Sequence, residues 1–81
     1  MSNRELAAVL VLALERFDNS TLVALNNAVT GFGRVTRANK AYAPALEAKL
    51  IDEDGKPVEL KALRDAASFE VNRRLEAGMF N

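Results

Sequence analysis

The sequence contains no cysteine, no histidine and no tryptophan. Without cysteine, no disulfide can hold the small fold together, and nothing indicates an oxidising compartment. The joint absence of cysteine and histidine also removes the usual zinc, copper and haem ligands, together with thiol and imidazole catalysis. Because general acid–base chemistry relies most often on histidine, we expect a protein that is not an enzyme and that carries no metal and no cofactor.

Long hydrophobic runs are absent as well. The uncharged apolar segment near the start, residues 6–14, has nine residues, whereas a membrane-spanning helix needs about 20. Glu5 lies where a signal peptide would be basic, and no small-x-small cleavage site follows the segment. We therefore expect a soluble protein of the cytoplasm, or of the host cytoplasm if it is encoded by a phage, without a membrane partner.

The formal net charge is zero, but the charges are unevenly spread. Residues 1–40 carry five basic and three acidic side chains, and residues 41–81 carry six basic and eight acidic ones. A chain that binds nucleic acid non-specifically neutralises phosphates with a basic surplus. The neutral balance argues against that function.

Aromatic residues are few, whereas alanine is abundant. Four Phe and one Tyr stand against fourteen Ala, a composition that favours closely packed helices. Hydrophobic residues make up 49% and charged residues 27%, as in globular proteins. We expect one domain, residues 1–81, of the all-α class, built as a small bundle of four to five helices.

The first seventeen residues predict a helix with a defined start. Ser2 and Glu5 have the S-x-x-E spacing of a capping box, in which the hydroxyl accepts the Glu5 amide and the carboxylate accepts the Ser2 amide. Met1 and Leu6 fit the hydrophobic staple that often accompanies such a box.

This helix has more apolar side chains than one buried face needs. One stripe has the spacing of a core-facing helix: Leu6, Val9, Leu10, Ala13 and Phe17. Val11 and Leu12 fall outside the stripe, so most of the cylinder is apolar. A helix that is apolar all round is normally buried, and 81 residues offer little protein to bury it. A second copy or a larger protein is the natural cover.

The second helical segment runs from Thr21 to about Thr30, and Asn19 or Ser20 is placed to cap it. Its apolar residues share one face: Leu22, Leu25, Val29 and Phe32. Gly31 and Gly33 should end or bend the helix. We interpret them as a hinge that lets Phe32 pack inward.

Residues 34–43 resume a helical pattern. Three basic residues recur in it at intervals of three: Arg34, Arg37 and Lys40. This basic strip fits a DNA-recognition helix that contacts phosphates, and it equally fits the arginine-bearing rim of a protein interface. Pro44 then begins a short segment, and the sequence leaves open whether residues 34–50 form one kinked helix or two.

Residues 50–58 contain the clearest turn signal, Asp54-Gly55, which fits either a minimal β-hairpin or a plain loop. The acidic cluster Asp52, Glu53 and Asp54 lacks the ligand spacing of a calcium-binding loop, so we interpret it as a solvated turn.

A last helix begins near Glu59 and stops at Gly78. Two adjoining apolar stripes are expected on it: Leu60, Leu63, Ala67, Val71 and Leu75, and beside them Ala62, Ala66 and Phe69. Glu70 and Arg74 form an i,i+4 pair that we expect on the outer side of this helix.

These features predict a small non-enzymatic protein-binding module that associates with itself, with a larger protein, or with both. The expected interface consists of surplus apolar residues: Val9, Val11, Leu12, Met79 and Phe80. Chains of this kind are typical of bacterial or phage accessory factors, either assembly subunits or inhibitors of a larger machine, which is an inference by association. The alternative is a dimeric nucleic-acid-binding regulator that uses the basic strip.

Overall fold

The structure is a computed structural model, and it describes residues 2–80. Four helices follow one another in this described part of the chain: α1 (Asn3–Leu14), α2 (Asn19–Gly31), α3 (Tyr42–Glu47) and α4 (Leu60–Glu76). Within residues 2–80 the β-structure consists of one isolated antiparallel bridge, between Ile51 and Pro57. The prediction of an all-α fold with four to five helices is confirmed.

α1 begins at the side-chain cap that the S-x-x-E spacing predicts. The Glu5 backbone N–H donates to the Ser2 hydroxyl oxygen over 3.2 Å. The same hydroxyl donates to the Glu5 carboxylate over 3.2 Å, so the carboxylate contacts the hydroxyl where the amide was expected. The staple between Met1 and Leu6 lies outside the described residues, because Met1 is not among them.

Asp18 caps α2, one residue earlier than expected. The Thr21 backbone N–H donates to the Asp18 carboxylate over 2.7 Å, and this hydrogen bond holds the pKa of the carboxyl below its usual value. The prediction that Asn19 or Ser20 caps α2 is therefore wrong. All three consecutive residues are favourable cap types, and an acidic one also interacts well with the positive end of the helix dipole.

The buried face of α2 includes Leu22, Leu25 and Val29, as predicted, together with Thr21 and Ala28. Phe32, however, is 82% exposed, so the prediction that it packs inward is wrong. α2 ends at Gly31, and Gly33 turns the chain with a φ of +71°. Phe32 therefore lies beyond the last helical residue, where the helical period no longer sets the direction of a side chain.

Residues 32–41 form turns, and the helix predicted for residues 34–43 is absent. Val35 is completely buried, and its backbone N–H donates to the Gly55 carbonyl over 2.8 Å. The Val35 N–H is thus paired with a distant part of the chain. The 34–50 segment is neither one kinked helix nor two, because the turns lead into the single short helix α3.

The 50–58 segment is a hairpin reduced to its turn. The Asp52 N–H donates to the Lys56 carbonyl, and the Asp52 carboxylate accepts the backbone N–H groups of Asp54 and Lys56, all over 2.9 Å. Beyond Pro57, the Val58 N–H donates to the Leu50 carbonyl over 3.0 Å, so one hydrogen bond on each side flanks the Ile51–Pro57 bridge. Gly55 has a φ of +82°, and a Cβ there would lie 1.9 Å from the Val35 carbonyl oxygen.

α1 and α4 lie side by side and run in the same direction. The Asn3 amide donates to the Asp65 carboxylate over 2.9 Å near the start of both helices. Near their ends, the Arg74 guanidinium donates to the Leu14 carbonyl over 3.1 Å. Parallel helices need a long connection between the end of one and the start of the other, and here α2 and α3 form that connection.

α2 runs antiparallel to α4 and packs beside it. The Arg64 guanidinium near the start of α4 donates to the Val29 carbonyl near the end of α2 over 2.8 Å. The largest fully buried apolar side chains come from all three long helices and from the turn segment: Leu14, Leu22, Leu25, Val29, Val35 and Leu63. They form the core, and α3 closes one side of it through the buried Ala45.

Candidate functional site

One side of α1 remains uncovered, and we call it the α1 outer face: Glu5, Ala8, Val9, Leu12 and Arg16. Val9 is 50% and Leu12 is 64% exposed. These two residues are three positions apart, so their side chains adjoin on the helix surface. Glu5 lies four positions before Val9, and Arg16 lies four positions after Leu12. The result is a short apolar strip with an acid at one end and a base at the other.

The buried side of α1 is rotated from the predicted stripe. Leu14 is completely buried, and Leu10 and Val11 are partly buried against the core. The assignment of Val9 to the core stripe is therefore wrong. Val11 packs partly against the core and also lines the groove between α1 and α4, so its role as an interface residue stays a prediction. Both sides of this helix are apolar, so the periodicity alone does not predict which side is buried. The buried side is the one that packs against α4.

A groove of about 550 Å³ lies between α1 and α4, and we call it the α1–α4 groove. Val11, Ala7 and Ala66 line it, and Phe69 lies at its edge with 58% of its surface exposed. Phe69 was expected to pack beside Ala62 and Ala66, and that prediction is wrong. The buried residue that follows Ala62 and Ala66 at the interval of four is Glu70, and Phe69 lies beside it at the surface.

A second groove, of about 670 Å³, lies between the end of α1 and α3, and we call it the α1–α3 groove. Leu12 and Arg16 line one wall, and Pro44 and Glu47 of α3 line the other. The α1 outer face thus lies on a ridge with a groove along each flank. Arg16 lies in the turn that follows α1, where its N–H donates to the Ala13 carbonyl over 3.3 Å, an i→i−3 hydrogen bond.

Met79 and Phe80, the two other expected interface residues, belong to the C-terminal turn. Met79 is 47% exposed and Phe80 is partly buried. The Asn19 side-chain amide donates to the Met79 carbonyl over 2.6 Å, which holds this turn beside the start of α2. The hydrogen bond ties the C-terminal turn to α2, so Met79 and Phe80 are not part of the α1 outer face.

The three residues of the expected basic strip lie in the turn segment and share no helix face. The Arg34 guanidinium donates to the Asp54 carbonyl over 2.6 Å, and the Lys40 ammonium donates to the Ser20 hydroxyl. The Arg37 guanidinium carbon lies 6.0 Å from the centroid of the Tyr42 ring, at the outer limit of a cation–π contact. The recognition-helix arrangement expected for these residues is wrong, because the helix is absent.

The acidic turn lies directly against this basic segment. The Tyr42 hydroxyl donates to the Glu53 carbonyl over 2.5 Å, next to the hydrogen bond between Arg34 and Asp54. Within residues 2–80, no group of three or more acidic side chains lies close enough together to hold a metal ion. The basic segment and the acidic turn are therefore joined through backbone carbonyls of the turn, and the salt bridges within residues 2–80 do not include Arg34.

Glu70 and Arg74 lie inside the protein and not on the outer side of α4. The Glu70 side chain has no exposed surface, and the Arg74 side chain is 3% exposed. The Arg74 Nε donates to Glu70 over 2.8 Å, and its Nη1 donates to the Asn19 side-chain oxygen over 2.8 Å. The prediction of an exposed pair was wrong, although the interval of four from Ala62 and Ala66 leads to both residues.

The Arg73 guanidinium completes this network from the surface. It donates to both Glu70 carboxylate oxygens, over 2.7 and 2.8 Å. These hydrogen bonds, chiefly, lower the pKa of the Glu70 carboxyl from 4.5 to about 2, against the opposing effect of burial. A carboxylate that is neutralised in this way and closed to solvent serves the fold, and it offers no acid or base to a substrate.

Two further observations bear on the kind of protein this is. No helix within residues 2–80 is long and apolar enough to cross a membrane. Comparisons of the chain with protein-family models, with curated proteins and with solved structures found no match. The α1 outer face, with its two flanking grooves, is the candidate site that the geometry defines.

Proposed function

We propose that this protein is a small non-enzymatic protein-binding module that associates with itself through the α1 outer face. The observation that carries the proposal is the adjoining exposure of Val9 and Leu12, at 50% and 64%, on a helix that is already packed on its other side. Clustered apolar side chains at a surface mark protein interaction sites.

A second copy is the simplest occupant of this face. The radius of gyration is 11.5 Å, and a compact domain of this length has about 12 Å. The chain therefore closes its own core, and a partner is needed only to cover the surface. Closed twofold dimers are the most frequent assembly of identical chains, and they use one surface patch twice.

The biological role we propose is that of a cytoplasmic accessory factor from a bacterium or a phage. Such a factor acts as an assembly subunit or as an inhibitor of a larger machine. The small size, the lack of histidine and cysteine, and an exposed apolar strip support a role in binding rather than in catalysis.

Leu12→Glu tests the proposal. A carboxylate placed in an apolar interface is strongly unfavourable, so we expect the variant to be monomeric. Light scattering at micromolar concentrations should give a mass above 8.8 kDa for the unchanged chain and about 8.8 kDa for the variant. Circular dichroism should give the same helix content for both, because Leu12 is exposed.

Val58→Glu is the matched control, since Val58 is 74% exposed and lies outside the α1 outer face. This variant should associate as the unchanged chain does. An unchanged chain that remains a folded monomer at high concentration would contradict the proposed function.

A further inference from the structure

We infer that the second copy binds with its α1 antiparallel to α1 of the first, around a twofold axis that passes between Val9 and Leu12. The inference rests on the proposed function, and it adds the direction of the partner, the register and the residues that set them.

The register follows from the positions of four residues on the α1 outer face. The midpoint between Val9 and Leu12 along the sequence is also the midpoint between Glu5 and Arg16. A twofold axis at this point places Val9 against the partner's Leu12. The same axis places Glu5 against the partner's Arg16, and each pair occurs twice.

The directions of the side chains agree with this register. An α-helix turns by about 100° per residue, so Glu5 points within about 10° of the line midway between Val9 and Leu12. Arg16 follows the last helical residue, Leu14, by two positions, and it lines the α1–α3 groove beside Leu12. Each charge lies about 8 Å along the helix from the axis, and both side chains are long enough to meet across a helix interface. Along the α1 outer face, the acidic residue, the two apolar residues and the basic residue therefore follow one another in that order.

Within residues 2–80, neither charge belongs to a salt bridge, and the Glu5 carboxylate accepts a hydrogen bond from the exposed Ser2 hydroxyl. The salt bridges in this part of the chain join Glu70 to Arg73 and to Arg74. A parallel arrangement would instead place Glu5 against the partner's Glu5, and Arg16 against the partner's Arg16. Like charges in contact disfavour that arrangement, and antiparallel helices also oppose their dipoles favourably.

Charge reversal tests the pairing. Glu5→Arg places two Arg–Arg contacts in the dimer, and Arg16→Glu places two Glu–Glu contacts, so each variant alone should show a roughly tenfold higher dissociation constant. Mixing the two variants restores opposite charges at both contacts. The mixture should therefore associate about as well as the unchanged chain.

Two neighbouring residues provide matched controls. Glu15 and Arg4 are exposed and point about 90° or more away from the line of the four residues. Glu15→Arg and Arg4→Glu repeat the same changes of charge, and they should leave the dissociation constant within about twofold. Equal effects at all four positions would overturn the inference, because they would reflect net charge and not pairing.

Cysteine cross-linking tests the direction independently, since the chain has no native thiol. Glu5→Cys and Arg16→Cys are made as separate variants, one with a mass tag, and oxidised alone and mixed. In the antiparallel register the two substituted positions face each other only in the mixture, because equivalent positions lie about 16 Å apart. Mass spectrometry should detect the mixed disulfide.

The outcomes separate this inference from the function on which it rests. Disulfides within each single variant, and none between the two, would overturn the antiparallel register. If Leu12→Glu abolishes self-association, but a mixture of Glu5→Arg and Arg16→Glu associates no better than either variant alone, the register is overturned. The proposed function would still stand in that case. A chain that never exceeds 8.8 kDa in solution would contradict both.

Discussion

Arg74 joins three helices although its charge is buried. Its guanidinium donates to Glu70 within α4, to the Asn19 side chain at the start of α2, and to the Leu14 carbonyl at the end of α1. The final carbonyls of a helix lack intrahelical partners and carry partial negative charge, which a cation stabilises. The planar fork of arginine reaches all these acceptors at once, which a lysine ammonium would not do.

We expect Glu70→Gln to destabilise the fold by about 3 kcal/mol at neutral pH, because it leaves the buried Arg74 without its counter-ion. A pKa lowered from 4.5 to about 2 in the folded protein gives a contribution that is fully present above pH 4.5. It is lost as the pH falls from 4.5 to about 2. Urea unfolding between pH 2 and 7 measures this loss.

The acid sensitivity should be smaller in Glu70→Gln but not zero, because the pKa of Asp18 is also lowered by its hydrogen bond to Thr21. Glu76→Gln changes an exposed carboxylate on the same helix and serves as the control. Identical pH profiles for Glu70→Gln and the unchanged chain would show that the buried pair does not contribute as described.

At the scale of the elements, α3 and α4 end in the same way with different residues. In α4, the N–H groups of Gly78 and Met79 donate to the Leu75 and Arg74 carbonyls, the Schellman pattern. In α3, Lys49 takes the place of the glycine, with a φ of +62° where Gly78 has +72°. A side chain with a Cβ is strained in this region of backbone conformation.

We expect Lys49→Gly to stabilise the protein by about 1 kcal/mol, because it removes the strain of a positive φ. Gly78→Ala, the opposite change in the equivalent position of α4, should destabilise by about 1 kcal/mol. Thermal or urea unfolding compares the two. A loss of stability in Lys49→Gly would mean that the lysine side chain contributes more than its backbone conformation costs.

The start of α1 offers a test of a cap that the sequence alone predicted. Ser2→Ala removes the acceptor of the Glu5 backbone N–H, so a loss of about 1 kcal/mol is expected. Ser2→Asp keeps a cap acceptor and should retain most of the stability. An unchanged thermal midpoint in Ser2→Ala would show that the first turn does not depend on this hydrogen bond.

At the scale of the whole molecule, the charges are balanced, with eleven basic and eleven acidic side chains. The Arg34 guanidinium of the basic segment is hydrogen-bonded to the Asp54 backbone carbonyl of the acidic turn. A phosphate-binding surface needs a basic surplus that no nearby acid offsets. The apolar strip on α1 lies elsewhere and is the more distinctive surface.

We therefore expect negligible binding of DNA or RNA at physiological salt, measured by fluorescence anisotropy. Replacement of Arg34, Arg37 and Lys40 by alanine should leave self-association intact, because these residues lie outside the α1 outer face. Sub-micromolar binding that weakens steeply with salt, and that the triple variant loses, would favour the nucleic-acid-binding regulator instead.

Features that depend on residues close together along the chain could be predicted from the sequence. The Ser2 cap, the buried face of Leu22, Leu25 and Val29, and the stop at Gly78 were predictable, because caps and helical periods act within a few residues. The excess of apolar residues in α1 was equally visible. Local hydrogen bonds and spacing carry this information.

Features that depend on contacts between distant parts of the chain could not be predicted from the sequence and follow from the tertiary structure. Packing against α4 chose which apolar side of α1 is buried and left Leu12 exposed. Residues 34–41, predicted to be helical, form turns in which the Val35 N–H donates to the distant Gly55 carbonyl. Glu70 and Arg74 could enter the interior only because Asn19 and the end of α1 satisfy the guanidinium, and partners so far apart leave no sign in local sequence.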